Sequence, residues 1–272
     1  MNDVATALAQ ARGLGVDRLD AQLLLGHVLQ RPRSWLLAHD DAVLTEPQRT
    51  AVQQLMQRRA SGEPVAYLTG EKEFHGLTLQ VTPAVLIPRP DTETLVDWAL
   101  ARLQAGPPQP RVLDLGTGSG AIALALKHRH PAAVVTAVDA SDDALQVASS
   151  NARRLGLDVR FLLGDWWSSV GNGTFDLVVS NPPYIATGDE HLPALSHEPL
   201  LALTSGADGL DALRTIVSGA PAHLSRGAWL LLEHGYDQAD AVHRLLEAHG
   251  FDDVQTRQDL AGIGRCTGAR WS

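Results

Sequence analysis

Residues 181–184, Asn-Pro-Pro-Tyr, combine a side-chain amide with a stiff stretch of backbone. They follow the apolar run 175–180, which predicts a buried strand, and ligands of open α/β sheets bind just beyond the carboxyl ends of strands. Because proline fixes φ and lacks an N–H group, the loop offers carbonyl oxygens and few donors. The Asn181 side-chain oxygen and the Pro182 carbonyl could each accept one hydrogen of a substrate NH2 group and hold its nitrogen still. The same residues are also compatible with a plain strand-ending turn, so the interpretation depends on the rest of the chain.

A glycine-rich loop lies upstream, between an apolar run at 111–115 and a helix-like repeat that begins at Ala121. Glycine at alternate positions lets backbone N–H groups approach a ligand closely, at the N-terminus of the helix that follows. The pattern also satisfies the dinucleotide fingerprint G-x-G-x-x-G/A, so the glycines do not separate an NAD dehydrogenase from an enzyme that uses S-adenosylmethionine (SAM). The residues predicted to bind the cofactor here are Gly116, Thr117, Gly118, Ser119 and Gly120.

Two more predicted strands end in residues that suit a nucleoside. The run 134–138 ends at Asp139, where a carboxylate can accept both hydroxyl groups of a ribose. The run 159–163 is followed by Asp165 and Trp166, which could hold an adenine through its amine and its face. Taken singly, Asp139 could instead cap the helix from Ser141, and Trp166 could belong to the core.

The order of the four strand ends favours one cofactor. The glycine loop, Asp139, the pair Asp165 and Trp166, and the Asn-Pro-Pro-Tyr loop follow one another in the order in which SAM-dependent methyltransferases use them. The Asn-Pro-Pro-Tyr loop decides against NAD, and Asn181 is expected to serve both the cofactor and the substrate. SAM is therefore the predicted cofactor.

Five longer motifs resemble one family, the bacterial peptide chain release factor N5-glutamine methyltransferases. The resemblance runs from residue 60 to the end of the chain. The run at 86–93 is the most family-specific, since Asn-Pro-Pro-Tyr is shared with adenine-N6 and other amino methyltransferases. The motifs are Gly-Glu-Pro-Val-Ala-Tyr-Leu-Thr-Gly at 62–70, Leu-Ile-Pro-Arg-Pro-Asp-Thr-Glu at 86–93, Leu-Asp-Leu-Gly-Thr-Gly-Ser-Gly-Ala-Ile-Ala at 113–123, Ser-Asn-Pro-Pro-Tyr-Ile at 180–185 and Leu-Leu-Glu-His-Gly at 231–235.

The resemblance implies a SAM-dependent enzyme that methylates the side-chain amide nitrogen (N5) of the glutamine in the Gly-Gly-Gln motif of peptide chain release factors. Release factors are then its protein partners. The resemblance makes Asn181 and Pro182 the catalytic residues and assigns Asn181, Pro182, Pro183 and Tyr184 to substrate binding.

Alternatives stay open at this point. One is a nucleic-acid amino (adenine-N6) methyltransferase, and another is a non-catalytic protein of the same fold that binds a translation partner. Tyr184 could contact the substrate glutamine or only form a wall of the pocket. Arg89, Glu93 and Glu198 could brace the site or form ordinary surface ion pairs.

Composition and charge bear on the partners. The chain has 272 residues, 44% of them hydrophobic, and a net charge of −9. Residues 1–90 hold nine basic and nine acidic side chains, whereas residues 91–272 hold thirteen and twenty-two, so the predicted catalytic part lacks the basic footprint of a nucleic-acid binder. No apolar run reaches the roughly 18 residues of a membrane span, and no basic signal sequence opens the chain. With Cys266 as the single cysteine and the histidines scattered, we expect a cytoplasmic protein with no membrane contact and no metal site.

Periodicity predicts three parts. Helical spacing at 5–11, 19–29, 35–38 and 46–60 predicts a small all-α bundle over residues 1–65. Its arginines at 31, 33, 49, 58 and 59 lead to the hypothesis that it is a substrate-docking domain. Alternation at 74–81 and the run 85–90 predict the two strands of a β-hairpin connector over residues 66–90. Over residues 91–272, strands and helices alternate and end in late strands near 254–257 and 265–271. This predicts an α/β fold, a SAM-dependent methyltransferase (Rossmann-like) domain with a mostly parallel sheet and late antiparallel strands.

Overall fold

The structure is a computed structural model that describes residues 2–272, and it divides into two compact units. The first unit ends at Glu71 and the second runs from Lys72 to Ser272. The first unit therefore extends past the predicted boundary at residue 65, because a short helix follows that position. Along the part of the chain that the structure describes, no helix has both the length and the apolar composition needed to cross a membrane.

The first unit is a bundle of five helices. Asp3 and Asp17 begin the first two by accepting hydrogen bonds from the backbone of Thr6 and Leu19, at 2.8 and 2.7 Å. The four predicted helical windows are confirmed, and the fifth helix, which begins directly after Pro64, was not predicted. The helices are α1 (Val4–Gly13), α2 (Arg18–Leu29), α3 (Arg33–Ala38), α4 (Glu46–Ala60) and α5 (Val65–Thr69), and they enclose a core that includes Val4, Ala7, Leu24, Leu25 and Val52.

A two-stranded hairpin follows, formed by β1 (Glu71–Phe74) and β2 (Leu77–Gln80). The prediction of one strand over 74–81 and a second over 85–90 was wrong. His75 and Gly76 both have positive φ, 48° and 80°, and form a two-residue turn in the middle of the run that alternates. Residues 81–89 have no regular secondary structure, so the hairpin occupies only part of the predicted connector.

The rest of the second unit is a seven-stranded sheet with helices on both faces, and the predicted fold class is confirmed. Five neighbouring strands are parallel, and the two late strands are antiparallel, as expected. The elements are α6 (Glu93–Gln104), β3 (Arg111–Leu115), α7 (Ala121–Arg129), β4 (Val134–Asp139), α8 (Asp142–Leu155), β5 (Arg160–Leu163), β6 (Phe175–Ser180), α9 (Asp211–Gly219), β7 (Leu224–Glu233), α10 (Ala239–Ala248), β8 (Asp252–Gln258) and β9 (Gly264–Arg270).

The two faces of the sheet bury separate clusters. Along β3, Val112 packs with Leu124 of α7 on one face, while Leu113 packs with Leu213 of α9 on the other. Such two-sided burial explains why the inner strands read as continuous apolar runs.

The strand order, β5-β4-β3-β6-β7-β9-β8, determines where a ligand can bind. From β3 the chain builds outward through β4 to β5, then returns to add β6 on the other side of β3. The crevice between the ends of β3 and β6 is therefore the switch point at which open α/β sheets bind their ligands.

Candidate active site

The loops that follow β3, β4, β5 and β6 surround one pocket of about 370 Å³, a size typical of small-molecule sites. All four strands are parallel neighbours, so their carboxyl ends lie along the same edge of the sheet. Nine of the predicted cofactor- and substrate-binding residues line this pocket: Gly116, Thr117, Gly118, Ser119, Asp139, Asp165, Trp166, Asn181 and Pro183.

The glycine loop is shaped by three positive φ angles, 73° at Gly116, 55° at Gly118 and 82° at Gly120. A Cβ added at Gly118 would meet no atom within 4 Å, so this position leaves space for a ligand. Gly120 differs, because its Cβ would lie 3.0 Å from Leu124 and 3.2 Å from Ala148. Gly120 does not line the pocket, and its role is to let α7 and α8 pack closely.

Asp139 joins two loops. One carboxylate oxygen accepts a hydrogen bond from the Gly118 N–H at 2.8 Å, and the other accepts one from the Ser141 N–H at 2.9 Å. Burial raises the pKa of Asp139, while those two N–H groups and that of Ala140 act in the opposite direction. The cap of α8 is the Ser141 hydroxyl, which accepts from Ala144, so Asp139 holds the glycine loop against the turn instead of capping the helix itself.

Asp114 supports the same loop from below. Its carboxylate accepts hydrogen bonds from the Thr117 hydroxyl at 2.6 Å and from the Ala123 N–H at 3.2 Å. Burial raises the pKa of Asp114 to about 7. The loop therefore rests on a fully buried carboxyl group.

Trp166 lines the pocket and also packs against the core. It is therefore placed both to contact a ligand and to serve as a core residue, the two roles considered from the sequence. A Cβ on Gly116 would lie 3.4 Å from the indole ring, so that glycine allows the ring to approach the loop. Asp165 is exposed at the rim.

The Asn181 amide nitrogen donates a hydrogen bond to the Thr92 hydroxyl at 3.1 Å. This leaves the Asn181 side-chain oxygen for a ligand. Thr92 also lines the pocket, in the Ile-Pro-Arg-Pro-Asp-Thr-Glu run. Behind Asn181 lies Glu233, which is 1% exposed. Burial raises the pKa of Glu233 to about 7, while hydrogen bonds from Thr92 and Asn181 act in the opposite direction.

Pro182 and Tyr184 do not line the pocket. Burial raises the pKa of the Tyr184 hydroxyl, and the nearby Glu233 carboxyl adds to the effect. The Tyr184 carbonyl accepts a hydrogen bond from the Gln238 side chain at 3.0 Å, and the Gln238 oxygen in turn accepts from the Gly235 N–H at 2.9 Å. The end of the Asn-Pro-Pro-Tyr loop is thus tied to the segment after β7.

Glu198 ties a second loop to the site. Its side chain is 4% exposed and accepts hydrogen bonds from Arg89 at 2.5 Å and from the Ile87 N–H at 3.1 Å. The interpretation of Glu198 as half of a surface ion pair was therefore wrong, because the Glu-Pro segment packs over the motif at 86–93. Glu93 accepts from the His75 N–H at 3.0 Å and so fixes the hairpin turn.

Sequence reasoning missed Thr92, Glu233 and Gln238. The first two lie in motifs that carried the family resemblance, and that was the available signal. Their contacts with Asn181 and Tyr184 join residues far apart in the chain, which periodicity does not reveal. Among the described residues, the acidic, histidine and cysteine side chains form no group that could hold a metal ion.

Two family models match the chain, the methyltransferase small domain over residues 95–200 and the PrmC N-terminal domain over residues 2–70. The protein is thus a methyltransferase, an enzyme class consistent with the open sheet and the pocket at its switch point. Two solved structures share the fold. A methyltransferase from Pyrococcus furiosus aligns with a TM-score of 0.54 and 20% identity, over 72% of this chain and 88% of its own. A Thermus thermophilus 16S rRNA methyltransferase aligns with a TM-score of 0.57 and 22% identity, over 74% of this chain and 50% of its own.

Full-length relatives narrow the class. The release factor glutamine methyltransferase of Bordetella pertussis is 52% identical over 257 residues, which cover 93% of this chain and 95% of that protein. Its counterpart in Burkholderia pseudomallei is 50% identical, over 98% of this chain and 96% of that protein. The chain belongs to the release factor glutamine methyltransferase family, and the resemblance inferred from its motifs is confirmed. These relatives do not favour the adenine-N6 alternative.

Proposed function

We propose that this enzyme transfers a methyl group from SAM to the side-chain nitrogen of the glutamine in the Gly-Gly-Gln motif of peptide chain release factors. The observation that carries the proposal is the placement of Asn181. Its amide oxygen is left for a ligand at the edge of a pocket whose other wall is the glycine loop. Family membership supports the substrate class, and modification of a translation factor is consistent with a cytoplasmic location.

The residues around the pocket fit SAM. Gly116 and Gly118 present backbone without side chains, Asp139 offers a carboxylate for ribose hydroxyls, and Trp166 offers an aromatic face for adenine. When bound, SAM supplies an electrophilic methyl group. Thr117, Ser119 and Asp165 complete the predicted cofactor contacts, whereas Gly120 acts through helix packing.

The chemical difficulty lies in the substrate nitrogen. The lone pair of an amide nitrogen is delocalised into its carbonyl, so the nitrogen is a poor nucleophile and must be held in position. The Asn181 oxygen, in the pocket, can accept one N–H bond, and the Pro182 carbonyl, just outside the pocket lining, is proposed to accept the other. Together they would turn the lone pair toward the methyl group. As positive charge develops on the nitrogen, both hydrogen bonds strengthen, which stabilises the transition state more than the ground state.

The surrounding residues keep this geometry rigid. Two consecutive prolines limit the backbone of the loop, and Gln238 holds the carbonyl that follows them. Tyr184 is assigned to the wall that supports the loop, since its hydroxyl lies near Glu233 and outside the pocket lining. The proton on the methylated nitrogen leaves after transfer, because an N-protonated amide is very acidic.

The helical first unit is proposed to dock the release factor. Of the arginines at 31, 33, 49, 58 and 59, Arg58 pairs with Glu63 and Arg59 with Asp20, which commits these two to the bundle. Arg31 and Arg33 lie at the start of α3 and are exposed. Arg31 lies over the Trp35 ring and Arg33 donates to the Gln22 side chain at 2.6 Å, but neither pairs with an acidic side chain among the ion pairs of the described residues. These two are the strongest candidates for contact with a protein partner.

Incubation with purified release factor and SAM, followed by peptide mass mapping, tests the proposal. We expect the mass of one methyl group to be added to the peptide that contains Gly-Gly-Gln, and none to DNA or RNA oligomers. Methylation of adenine in the oligomers, with an unchanged release factor, would overturn it.

A further inference from the structure

An asparagine amide has two ends of nearly the same size but opposite hydrogen-bonding character. The proposed reaction needs the oxygen end of Asn181 at the substrate nitrogen, since a flipped amide would offer donors to a group that is itself a donor. The two orientations fit the same space, so a neighbouring group must select one of them. Thr92 and Glu233 are the side chains that contact the far end of this amide.

Thr92 is the last residue of a 3-10 turn, Pro90–Thr92, that leads directly into α6. Its backbone is helical, with φ −63° and ψ −20°, and its hydroxyl does not cap α6. That hydroxyl accepts a hydrogen bond from the Asn181 amide at 3.1 Å. Its side chain is buried, with the residue only 4% exposed, so water does not compete for this bond.

Glu233 is brought to the same point by the sheet. Ser180, the last residue of β6, pairs with Leu232 of β7, so the residues that follow each of them, Asn181 and Glu233, lie side by side. Glu233 only accepts hydrogen bonds in its ionised form, which predominates above its pKa of about 7. Both Thr92 and Asn181 donate toward it, and its second oxygen has no partner among the described residues. Above that pH, a flipped Asn181 would turn its own oxygen toward this buried, under-satisfied carboxylate, at a large cost in free energy.

The charges around Glu233 leave this preference intact. Asp91 and Arg265 lie nearby and form an ion pair with each other at 3.5 Å. Asp91 and Arg265 act on Glu233 in opposite directions. The other titratable groups that it influences, the Tyr184 phenol and the Cys266 thiol, are neutral because burial raises the pKa of each.

We propose that Thr92 and Glu233 are positioning residues that lock the Asn181 amide with its oxygen toward the substrate nitrogen. Neither residue takes part in bond making. The inference rests on the proposed function for the identity of the substrate, but the orientation of the Asn181 amide is a property of the protein alone.

Measurements of kcat and of SAM affinity distinguish a positioning role of Thr92 and Glu233 from a general contribution to stability. Thr92→Val removes the hydroxyl at almost constant volume, and we expect kcat to fall about tenfold or more while the SAM dissociation constant stays within about twofold. Thr92→Ser keeps the hydroxyl and should restore most of the lost rate. Glu233→Gln keeps the size but can present either end of its own amide to Thr92, so we expect an intermediate loss.

A double-mutant cycle supplies the decisive comparison. If Thr92 acts only through Asn181, then Thr92→Val should cost less than about twofold when introduced into Asn181→Ala. A wild-type kcat in Thr92→Val, or an equal loss of rate in both backgrounds, would overturn the inference.

Hydrogen exchange of the Asn181 side-chain NH2 group, followed by NMR, tests the orientation without any substrate. The signal is assigned by its absence in Asn181→Ala, and we expect it to exchange slowly in the wild type and about tenfold faster in Thr92→Val or Glu233→Gln. Equal exchange in all three proteins would refute the lock. If wild-type enzyme fails to methylate release factor, the proposed function is wrong, while this measurement still decides on the lock.

Discussion

Replacement of Gly209 by alanine should displace the Asn-Pro-Pro-Tyr loop and leave the cofactor pocket intact. Gly209 is buried with a φ of +76°, and an added Cβ would lie 2.2 Å from the Tyr184 carbonyl oxygen and 2.8 Å from the Gln238 side-chain nitrogen. Ordinary contact with a Cβ begins at 3.4 Å. The Tyr184 carbonyl must therefore move by about 1 Å, and its 3.0 Å hydrogen bond from Gln238 must break.

The chain offers a matched control in Gly188, which lies in the segment after the same loop. Gly188 has a φ of +90°, and its Cβ would meet nothing within 4 Å. Both alanine variants bear the cost of a left-handed backbone, about 1–2 kcal/mol, but only Gly209→Ala adds the collision. The difference between the two variants isolates the displacement of Tyr184.

A misplacement of about 1 Å can lower a rate about 100-fold, so we expect that loss in kcat for Gly209→Ala and a change within about threefold for Gly188→Ala. SAM affinity, measured by calorimetry, should be similar in both, because neither glycine lines the pocket. Thermal unfolding identifies any variant that fails to fold. Equal kcat values in the two folded variants would refute the argument that Gln238 and Gly209 fix the catalytic loop.

Three other outcomes are expected. Asp139→Ala should weaken SAM binding about tenfold or more, because it removes the carboxylate proposed to bind the ribose and the hydrogen bond that holds the Gly118 N–H. Unchanged SAM affinity in calorimetry would remove Asp139 from the site. Burial raises the pKa of Glu233 from 4.5 to about 7, so ionisation of Glu233 destabilises the folded protein as the pH rises through that range. Between pH 4.5 and pH 8, the free energy of unfolding of Glu233→Gln, measured with denaturant, should therefore rise by about 3 kcal/mol relative to wild type. Parallel pH profiles of the two proteins would contradict this. Replacement of both Arg31 and Arg33 by glutamate, which reverses their charge, should raise KM for release factor about tenfold at constant kcat. The same replacement at the exposed Arg160 should leave KM unchanged. An unchanged KM in the Arg31 and Arg33 variant would contradict the docking proposal.

Much of this architecture was predictable because its signals are local. The strands before the glycine loop, Asp139 and Asn181 are apolar runs closed by polar residues, and parallel strands bring such ends to one edge of a sheet. Helix starts in the first unit follow from their capping residues.

The errors arise where a few residues override a pattern or where distant residues meet. Alternation over 74–81 hid a turn at His75 and Gly76, since the two strands on either side keep the same apolar faces. Gly120, predicted to bind the cofactor, lies outside the pocket lining, and a φ of 82° together with close contact to Ala148 accounts for glycine at this position. The contact of Thr92 with Asn181 depends on tertiary packing between segments 89 residues apart, which no short window of sequence reports.

Single-turnover methyl transfer by Asn181→Ala, with release factor in excess, tests the central claim most directly. If the Asn181 oxygen stabilises the charge that develops on the substrate nitrogen, its loss should raise the barrier by about 2.7–4 kcal/mol, while SAM affinity changes far less. Asn181→Asp should also lose activity, because a carboxylate cannot donate to Thr92 and Glu233 and so cannot keep the planar orientation. A rate close to wild type in Asn181→Ala would contradict the account, whatever the aspartate variant does.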